Sequence, residues 1–203
     1  LRAGFAHYRW QPIYNVRIPR AQQILGEERT VHTAEHLASA MFYLGASRTE
    51  IPRARLFAEL PGIVRAYAVM HPAASAPDKT WPTVRFVSTA RFLKESLDLE
   101  PVFIGGPGDD LSAFAAYRTV AGAPLAEIKS LLRGASLFLG NDSGPAHMAA
   151  AFGLPVVVLF GSSDPAIWHP WRTSSVVLHE RAGIAAISED QVRQALERMR
   201  VHA

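Results

Sequence analysis

The sequence predicts an α/β fold in which a parallel β-sheet carries helices on both faces. Strand candidates alternate with helix candidates along most of the chain, an order typical of parallel sheets. Two apolar runs, residues 137–139 and 156–160, show no alternation with polar residues, which indicates strands buried on both faces. The residues between these runs have the features of a short helix. The stretch 137–161 is therefore predicted to be a strand–helix–strand unit around which the fold is organised.

The helix of this unit has recognisable start and stop signals. Pro145 fits the first helical turn, where its missing N–H costs nothing, and Gly153 can adopt the left-handed conformation that ends a helix. Residues 141–144 place small polar side chains just before the helix, where free N–H groups and the helix dipole attract anions. This turn predicts a phosphate site. The alternative is that Asp142 or Ser143 only caps the helix.

The other elements follow from hydrophobic periodicity and from the residues that break it. Apolar side chains at helical spacing define the helices, and Gly or Pro residues bound them. Ser188 and Gln191 match a capping box, which predicts where the C-terminal helix starts. The predicted helices are 33–44, 82–97, 124–132 and one that follows residue 188, and the further predicted strands are 66–70 and 101–104.

The composition is typical of a folded globular protein. The chain has 203 residues, of which 49% are hydrophobic and 19% charged, so it can bury a core without covalent staples. It has no cysteine, which excludes disulfides and thiolate metal sites. The formal charge of +3 suits an anionic substrate but does not predict nucleic acid as a partner. We find no membrane-span candidate and no signal peptide, and because the chain starts at Leu1 we expect a fragment.

The first 50 residues are the hardest to interpret. Arginines are interleaved with Tyr8, Trp10 and Tyr14, a mixture that can stack nucleic-acid bases but that favours an exposed loop anchored by aromatic side chains. The pattern H-x-x-E-H at residues 32–36 matches an inverted zinc-protease motif, but we find no third ligand. We therefore interpret it as surface or helix-cap residues. Residues 51–62 contain prolines and a glycine typical of a linker or a domain edge.

Three loops are predicted at the edge of the sheet where parallel strands end, which is where ligands of such sheets bind. They span residues 75–79, 105–110 and 141–147. Together they contribute groups suited to a nucleotide: a lysine charge, serine hydroxyls, backbone N–H groups, a histidine, and carboxylates that can accept hydrogen bonds from ribose hydroxyls. Taken singly, each residue has a structural or solvent-exposed alternative. The candidates are Ser75, Lys79, Asp109, Asp110, Asp142, Ser143, Gly144 and His147.

Three blocks together resemble glycosyltransferase family 9, the ADP-heptose:lipopolysaccharide heptosyltransferases. The blocks are HPAAS and DKTWP within 71–82, FIGGPGDD at 103–110, and LGNDSGPAHMAAAFGLPVVVLFGSSDP at 139–165. The resemblance covers about residues 64–203 and implies the C-terminal, donor-binding Rossmann-like domain of a GT-B fold. It implies that residues 1–62 are the end of an acceptor-side N-terminal domain with its linker, and that 63–203 form the donor-binding domain.

The resemblance also implies an activity and a role for each candidate residue. The family transfers a sugar, here expected to be a heptose, with inversion from a nucleotide diphosphate to a lipopolysaccharide-type acceptor. Ser75 and Lys79 match positions that contact the diphosphate, and Lys79 would stabilise the leaving group. The block that contains Asp142, Ser143, Gly144 and His147 matches the loop that holds phosphates and sugar. Asp109 or Asp110 stands near a position where the family often has a glutamate on the ribose.

Two departures from the family pattern accompany these expectations. The family's presumed catalytic base, an aspartate early in the N-terminal domain, is expected to lie outside this chain. The segment between Trp171 and Ser188 is shorter than is usual, so a loop could be missing there. We expect no cofactor and leave a divalent metal open.

The expected partners are a nucleotide-sugar donor and an oligosaccharide or lipid-linked acceptor, with no nucleic acid. The expected location is the cytoplasm, including the cytoplasmic face of the inner membrane as a peripheral site. Two alternatives stay open, a nucleotide-sugar 2-epimerase-like isomerase of the same fold and a non-catalytic nucleotide-sugar binding module. An assay that compares sugar isomerisation with sugar transfer to an acceptor distinguishes the isomerase from the glycosyltransferase.

Overall fold

Two units make up the chain, and the larger one carries the parallel sheet predicted from the sequence. The computed structural model describes residues 1–7, 11–63 and 65–200. Leu1–Pro52 together with Ala166–Trp168 form the smaller unit, and the rest of the described chain forms the larger. The domain boundary at residue 62 stays a prediction. The interpretation of Tyr8 and Trp10 falls outside the described residues.

The smaller unit combines a short parallel strand pair with two helices. Strand β1 (Ala3–Phe5) pairs with β2 (Val16–Ile18), followed by α1 (Ala21–Leu25) and α2 (Thr33–Tyr43). The predicted helix at 33–44 is thus confirmed. The three-residue strands β1 and β2 were not predicted.

The H-x-x-E-H pattern forms the cap of α2, as the helix-cap interpretation expects. His32 is the N-cap residue, and its Nδ1 accepts a hydrogen bond of 3.0 Å from the N–H of Ala34. Glu35 accepts one of 3.0 Å from the N–H of His32 and also pairs with Arg29 at 2.7 Å. His36 stacks on the ring of Phe5. Among the residues that the structure describes, no group of three His, Cys, Asp or Glu side chains could hold a metal ion.

The larger unit alternates strands and helices. In chain order its elements are β3 (Tyr67–His71), α3 (Thr83–Leu97), β4 (Glu100–Gly105), β5 (Arg118–Ala121), α4 (Leu125–Gly134), β6 (Leu137–Asn141), α5 (Gly144–Phe152), β7 (Val156–Phe160), β8 (Ser175–His179) and α7 (Glu189–Arg200). The one-turn α6 (Pro165–Trp168) lies between β7 and β8 in the chain, and its residues Ala166–Trp168 belong to the smaller unit. The six strands form one sheet in the order β5-β4-β3-β6-β7-β8, and every neighbouring pair is parallel. The predicted fold class is confirmed.

Helices cover both faces of this sheet and enclose two hydrophobic layers. On one face, α3 and α7 bury Phe86, Leu93 and Leu196 against the strands. On the other face, α4 and α5 bury apolar residues such as Leu132 and Ala149. These side chains recur at helical spacing, which is why the sequence predicted the helices correctly.

Turn and cap residues act where the sequence predicted them. Gly153 ends α5 with a φ of 80°, and Pro145 lies in its first turn. The capping box before α7 is formed, with Gln191 N–H donating to Ser188 Oγ at 3.2 Å and Ser188 N–H donating to Gln191 Oε1 at 2.7 Å. The segment 171–188 contains β8, which was not predicted. In the described parts of the chain, no helix has both the length and the apolar character needed to cross a membrane.

Candidate nucleotide-binding site

The order of the strands creates a crevice between β3 and β6. From β3 the chain moves outward to β4 and β5, whereas β6 lies on the other side of β3 and leads to β7 and β8. The helices that follow β3 and β6 therefore pack on opposite faces of the sheet. Ligands of such sheets bind at this reversal, beyond the carboxyl ends of the strands. His71 ends β3, and Asn141 ends β6.

The N-terminus of α5 is open toward this crevice. A Cβ built on Gly144 would meet no atom within 4 Å, although Gly144 is the first residue of the helix. The first N–H groups of a helix have no partner within it and carry the positive end of its dipole. Pro145 has no N–H, and the N–H of Ala146 donates to the carbonyl of Ser143 at 3.1 Å. The N–H of Gly144 is therefore the donor that this open space offers to an anion.

Ser143 precedes this helix but does not cap it. It occupies the N-cap position with extended backbone, and its side chain makes no capping hydrogen bond. Its Oγ lies 3.0 Å from Nδ1 of His71 instead. The alternative that Ser143 serves only as a helix cap is therefore wrong. Asp142, one residue earlier, is half-buried, and its N–H donates to the carbonyl of Leu159 at 2.9 Å.

Asn141 holds together the two ends of the loop that carries Ser75 and Lys79. Its side chain is 0% exposed. Its Nδ2 donates to the carbonyl of Pro72 at 2.7 Å, and its Oδ1 accepts from the N–H of Trp81 at 3.2 Å. A buried amide with both functions satisfied fixes a loop firmly, since breaking either bond leaves a buried polar group without a partner.

Gly161, directly after β7, lets the same loop pack closely against the end of that strand. Residues 77–79 form a 3₁₀ turn that ends in Lys79. A Cβ at Gly161 would overlap the backbone oxygen of Asp78, so only glycine lets this turn approach the end of β7. Lys79 is half-buried and Ser75 is exposed. The loop that carries Lys79 is thus held at both ends by Asn141 and packs against Gly161 next to the lysine.

The two aspartates of the loop after β4 have different surroundings. Asp109 Oδ2 accepts a hydrogen bond of 2.6 Å from the N–H of Gly106, and Asp110 Oδ1 accepts one of 2.9 Å from the N–H of Ser112. Hydrogen bonds from the backbone and side chain of Ser112 lower the pKa of Asp110. Asp109 borders two cavities, whereas Asp110 borders only the smaller of these. Asp109 is therefore better placed toward a ligand.

A largely apolar cavity of about 380 Å³ lies beside the crevice. Ile104, Leu125 and Met148 supply apolar wall, while His71, Asp109 and Gly144 lie at its border. A second cavity of about 240 Å³ lies between the loop after β3 and residues 108–114. The N-terminus of α5 thus adjoins a space suited to a flat apolar group.

Burial keeps two histidines near the crevice neutral. It lowers the pKa of His71 to about 4, against the opposing influence of the Asp109 carboxylate. It also lowers the pKa of His147, with a further contribution from His169, while the carboxylate of Asp142 opposes the shift. Both imidazoles can donate or accept a hydrogen bond without carrying charge at neutral pH.

The structure adds three residues to the predicted set and brings most of that set to one edge. The loop with Ser75 and Lys79 follows β3, and Ser143 and Gly144 follow β6, so both segments flank the crevice. Neither Ser75 nor Lys79 lines the cavity that Gly144 and Asp109 border. Asp109 and Asp110 each accept a hydrogen bond from a backbone N–H of their own loop. The additions are His71, Asn141 and Gly161. His71 could have been found from its place at the carboxyl end of a predicted strand. Asn141 falls within the predicted loop 141–147, but no local pattern indicates the contacts of Asn141 or Gly161, which are distant in sequence.

Known proteins resemble both the sequence and the fold. The model of glycosyltransferase family 9 (heptosyltransferase) matches residues 29–195. Lipopolysaccharide heptosyltransferase 3 of Escherichia coli is 31% identical over 126 residues, which cover 57% of this chain and 37% of that protein. The chain thus matches little more than a third of that relative's length.

Solved structures share the fold. The glycosyl transferase family 9 structure from Veillonella parvula DSM 2008 has a TM-score of 0.79 and 22% identity, covering 99% of this chain and 67% of that one. Escherichia coli heptosyltransferase WaaC with ADP has a TM-score of 0.70 and 18% identity, covering 91% of this chain and 60% of that one. These likenesses agree with the predicted GT-B fold class.

Proposed function

The chain belongs to glycosyltransferase family 9, and from this premise we propose that it forms the donor-binding side of a glycosyltransferase. The proposed reaction transfers a heptose, with inversion, from ADP-heptose to a lipopolysaccharide-type acceptor. Its similarity to lipopolysaccharide heptosyltransferase 3 supports this choice of sugar and acceptor.

One observation carries the proposal: the open N-terminus of α5 faces the crevice at which the Lys79 loop is fixed. Gly144 leaves room for an anion, and Asn141, three residues earlier, holds the two ends of the Lys79 loop. A diphosphate bound here would meet backbone donors, the helix dipole and the hydroxyl of Ser143. The dipole alone is worth typically ~0.3–1 kcal/mol, or up to ~2 kcal/mol when partly buried.

The nucleoside would occupy the apolar cavity of about 380 Å³. A base is flat and largely apolar, and a site of this kind needs only a few placed polar groups. Asp109 at the border would accept from a ribose hydroxyl, and we rank it above Asp110 for this role. Ser75 lies on the loop that would close over the phosphates.

The chemistry follows from the charge that develops on the leaving nucleoside diphosphate. As the glycosidic bond breaks, negative charge grows on the phosphate, and we propose that Lys79 and the α5 donors stabilise it there. His147 would donate to a phosphate oxygen, and Asp142 would accept from sugar hydroxyls. The base that deprotonates the acceptor would come from the family's N-terminal domain. No cofactor is proposed.

The proposed partners follow from the substrates. The donor is a nucleotide sugar, and the acceptor is an oligosaccharide or a lipid-linked one. A lipid-linked acceptor would bring the protein to the cytoplasmic face of the inner membrane as a peripheral protein.

Titration calorimetry with ADP, UDP and GDP tests the donor assignment. We expect ADP to bind at least about tenfold more tightly than the other two, because a base pocket discriminates by shape and hydrogen bonding. Equal affinities would contradict the adenine assignment. Transfer is tested with ADP-heptose and a truncated lipopolysaccharide in protein that includes the family's N-terminal domain, from which the base would come. Isomerisation of the donor without transfer would favour an epimerase, and binding without any turnover would favour a binding module.

A further inference from the structure

A buried histidine at the end of β3 contacts the serine that precedes α5. His71 is 8% exposed, and its Nδ1 lies 3.0 Å from Oγ of Ser143. In the pairing of β3 with β6, His71 lies opposite Gly140. The chain then turns from Asn141 into α5 and brings Ser143 beside the imidazole. The contact joins the two strands that border the crevice.

The hydroxyl of Ser143 is not used by the helix. A serine in the N-cap position ordinarily accepts a hydrogen bond from an N–H of the first turn. Ser143 makes no such bond. Its side chain is directed to His71 instead. The hydroxyl is therefore available for a hydrogen bond to a ligand and not for capping the helix.

The direction of this hydrogen bond decides what Ser143 can offer an anion. Burial lowers the pKa of His71 to about 4, and Asp109 is the charged group that opposes the shift. The neutral ring carries one N–H, at Nδ1 or at Nε2. If Nδ1 accepts, the hydroxyl proton points at the histidine. If Nδ1–H donates, the serine oxygen is satisfied and its proton can point outward.

We propose that His71 is a positioning residue for the donor diphosphate, with Nδ1–H donating to Ser143 Oγ and thereby directing the Ser143 hydroxyl proton to a phosphate oxygen. This inference rests on the proposed function, which brings the diphosphate to the N-terminus of α5. His71 and Gly144, the residue after Ser143, border the same cavity, so the contact lies next to the space that the ligand would occupy. A bound anion selects this tautomer, because the other turns the lone pairs of Ser143 toward it.

The alternative is that the contact only holds the ends of β3 and β6 together. In that case its loss lowers the melting temperature, but the two side chains have no joint effect on an anion. A double-mutant cycle on ligand affinity separates these roles, because it measures the coupling of His71 and Ser143 toward the ligand itself.

The test compares Ser143→Ala, His71→Gln, the double variant and His71→Asn by titration calorimetry with ADP and with inorganic pyrophosphate. An asparagine amide can place an N–H near the Nδ1 position, whereas the longer glutamine places it near Nε2. Both replacements are neutral amides, which makes them a matched pair. Melting temperatures verify that each variant is folded.

We expect Ser143→Ala to weaken both probes about tenfold and His71→Gln about fivefold, as for loss of one hydrogen bond to a charged group. The double variant should match Ser143→Ala within about twofold, where independent effects would give about fiftyfold. His71→Asn should stay within about threefold of the wild type. Additive losses, or a folded His71→Asn as weak as His71→Gln, would overturn the inference.

The two probes separate this inference from the proposed function. If pyrophosphate shows the coupling but ADP has no advantage over UDP or GDP, the positioning role stands and the donor assignment fails. If ADP is preferred but the cycle is additive, only the positioning role fails. If the wild type binds neither probe, both are overturned.

Discussion

Replacing Gly144 by valine is the sharpest test of where the diphosphate binds. The first atom of the new side chain would meet nothing within 4 Å. We therefore expect no clash. Valine has a higher helix propensity than glycine and less freedom in the unfolded chain, so neither term destabilises the fold. The free energy of unfolding should change by less than about 1 kcal/mol.

The loss of affinity should be much larger than this change in stability. The valine methyls would stand between the helix N-terminus and the phosphate oxygens. A hydrogen bond to a charged group is worth about 1.5–3 kcal/mol, and the dipole adds about 0.3–2 kcal/mol. Loss of both amounts to about 2–5 kcal/mol, so ADP should bind at least about thirtyfold more weakly.

Calorimetry with ADP and urea unfolding of the same preparations measure both quantities. Gly62→Val is the matched control, since a Cβ there also meets nothing within 4 Å and Gly62 is remote in sequence from the three loops. Gly144→Ala should fall between the wild type and the valine variant. Wild-type affinity in a folded Gly144→Val protein would mean that the phosphates bind elsewhere, and the proposed site would be refuted.

Four further predictions concern other parts of the site. In protein that includes the family's N-terminal domain, Lys79→Ala should lower kcat about a hundredfold and ADP affinity much less, because the charge is largest in the transition state; an unchanged kcat removes Lys79 from catalysis. Asp142→Ala should weaken ADP-heptose about tenfold and ADP less than threefold; equal losses would make Asp142 structural. Asn141→Leu should lower the urea-derived free energy of unfolding by about 2–4 kcal/mol, since it leaves the carbonyl of Pro72 and the N–H of Trp81 unpaired; a loss below about 1 kcal/mol contradicts this. His71 has a pKa of about 4 when folded and 6.5 ordinarily, so its stabilising contribution is complete above pH 6.5 and is lost as the pH falls toward 4. In urea unfolding, the wild type should lose about 2 kcal/mol of stability between pH 7 and 5 relative to His71→Asn, and parallel pH curves would contradict the assignment.

The sequence predicted the interior of the fold better than its edges. Residues 156–160 form β7 as predicted, because a strand buried on both faces is a continuous apolar run. β5 has the sequence Arg-Thr-Val-Ala, is mostly exposed and lies at the sheet edge, so no apolar pattern marks it. β8 occupies the opposite edge and was missed as well.

The candidate site likewise contains features that the sequence could predict and features that it could not. Local chemistry made Gly144 and Lys79 candidates, because a helix N-terminus and a lysine in a loop are visible in a short stretch. Asn141 could not be found like this, since its partners Pro72 and Trp81 are 69 and 60 residues away. Its role depends on how two strands pair, and a hydrophobic pattern carries no information on polar contacts made across that pairing.

The two hydrogen bonds that the Asn141 side chain makes to Pro72 and Trp81 also have a consequence for how the protein folds. The chain must close a loop of 60 residues or more before this amide can meet the ends of the loop after β3. Closure of so long a loop costs conformational entropy that local contacts do not repay. The segment from β3 to β5 can therefore gain its strands early, but it cannot hold Lys79 in place until β6 has docked. The nucleotide site proposed above would thus be complete only after β6 has docked, and a ligand bound there would stabilise that state over its precursors.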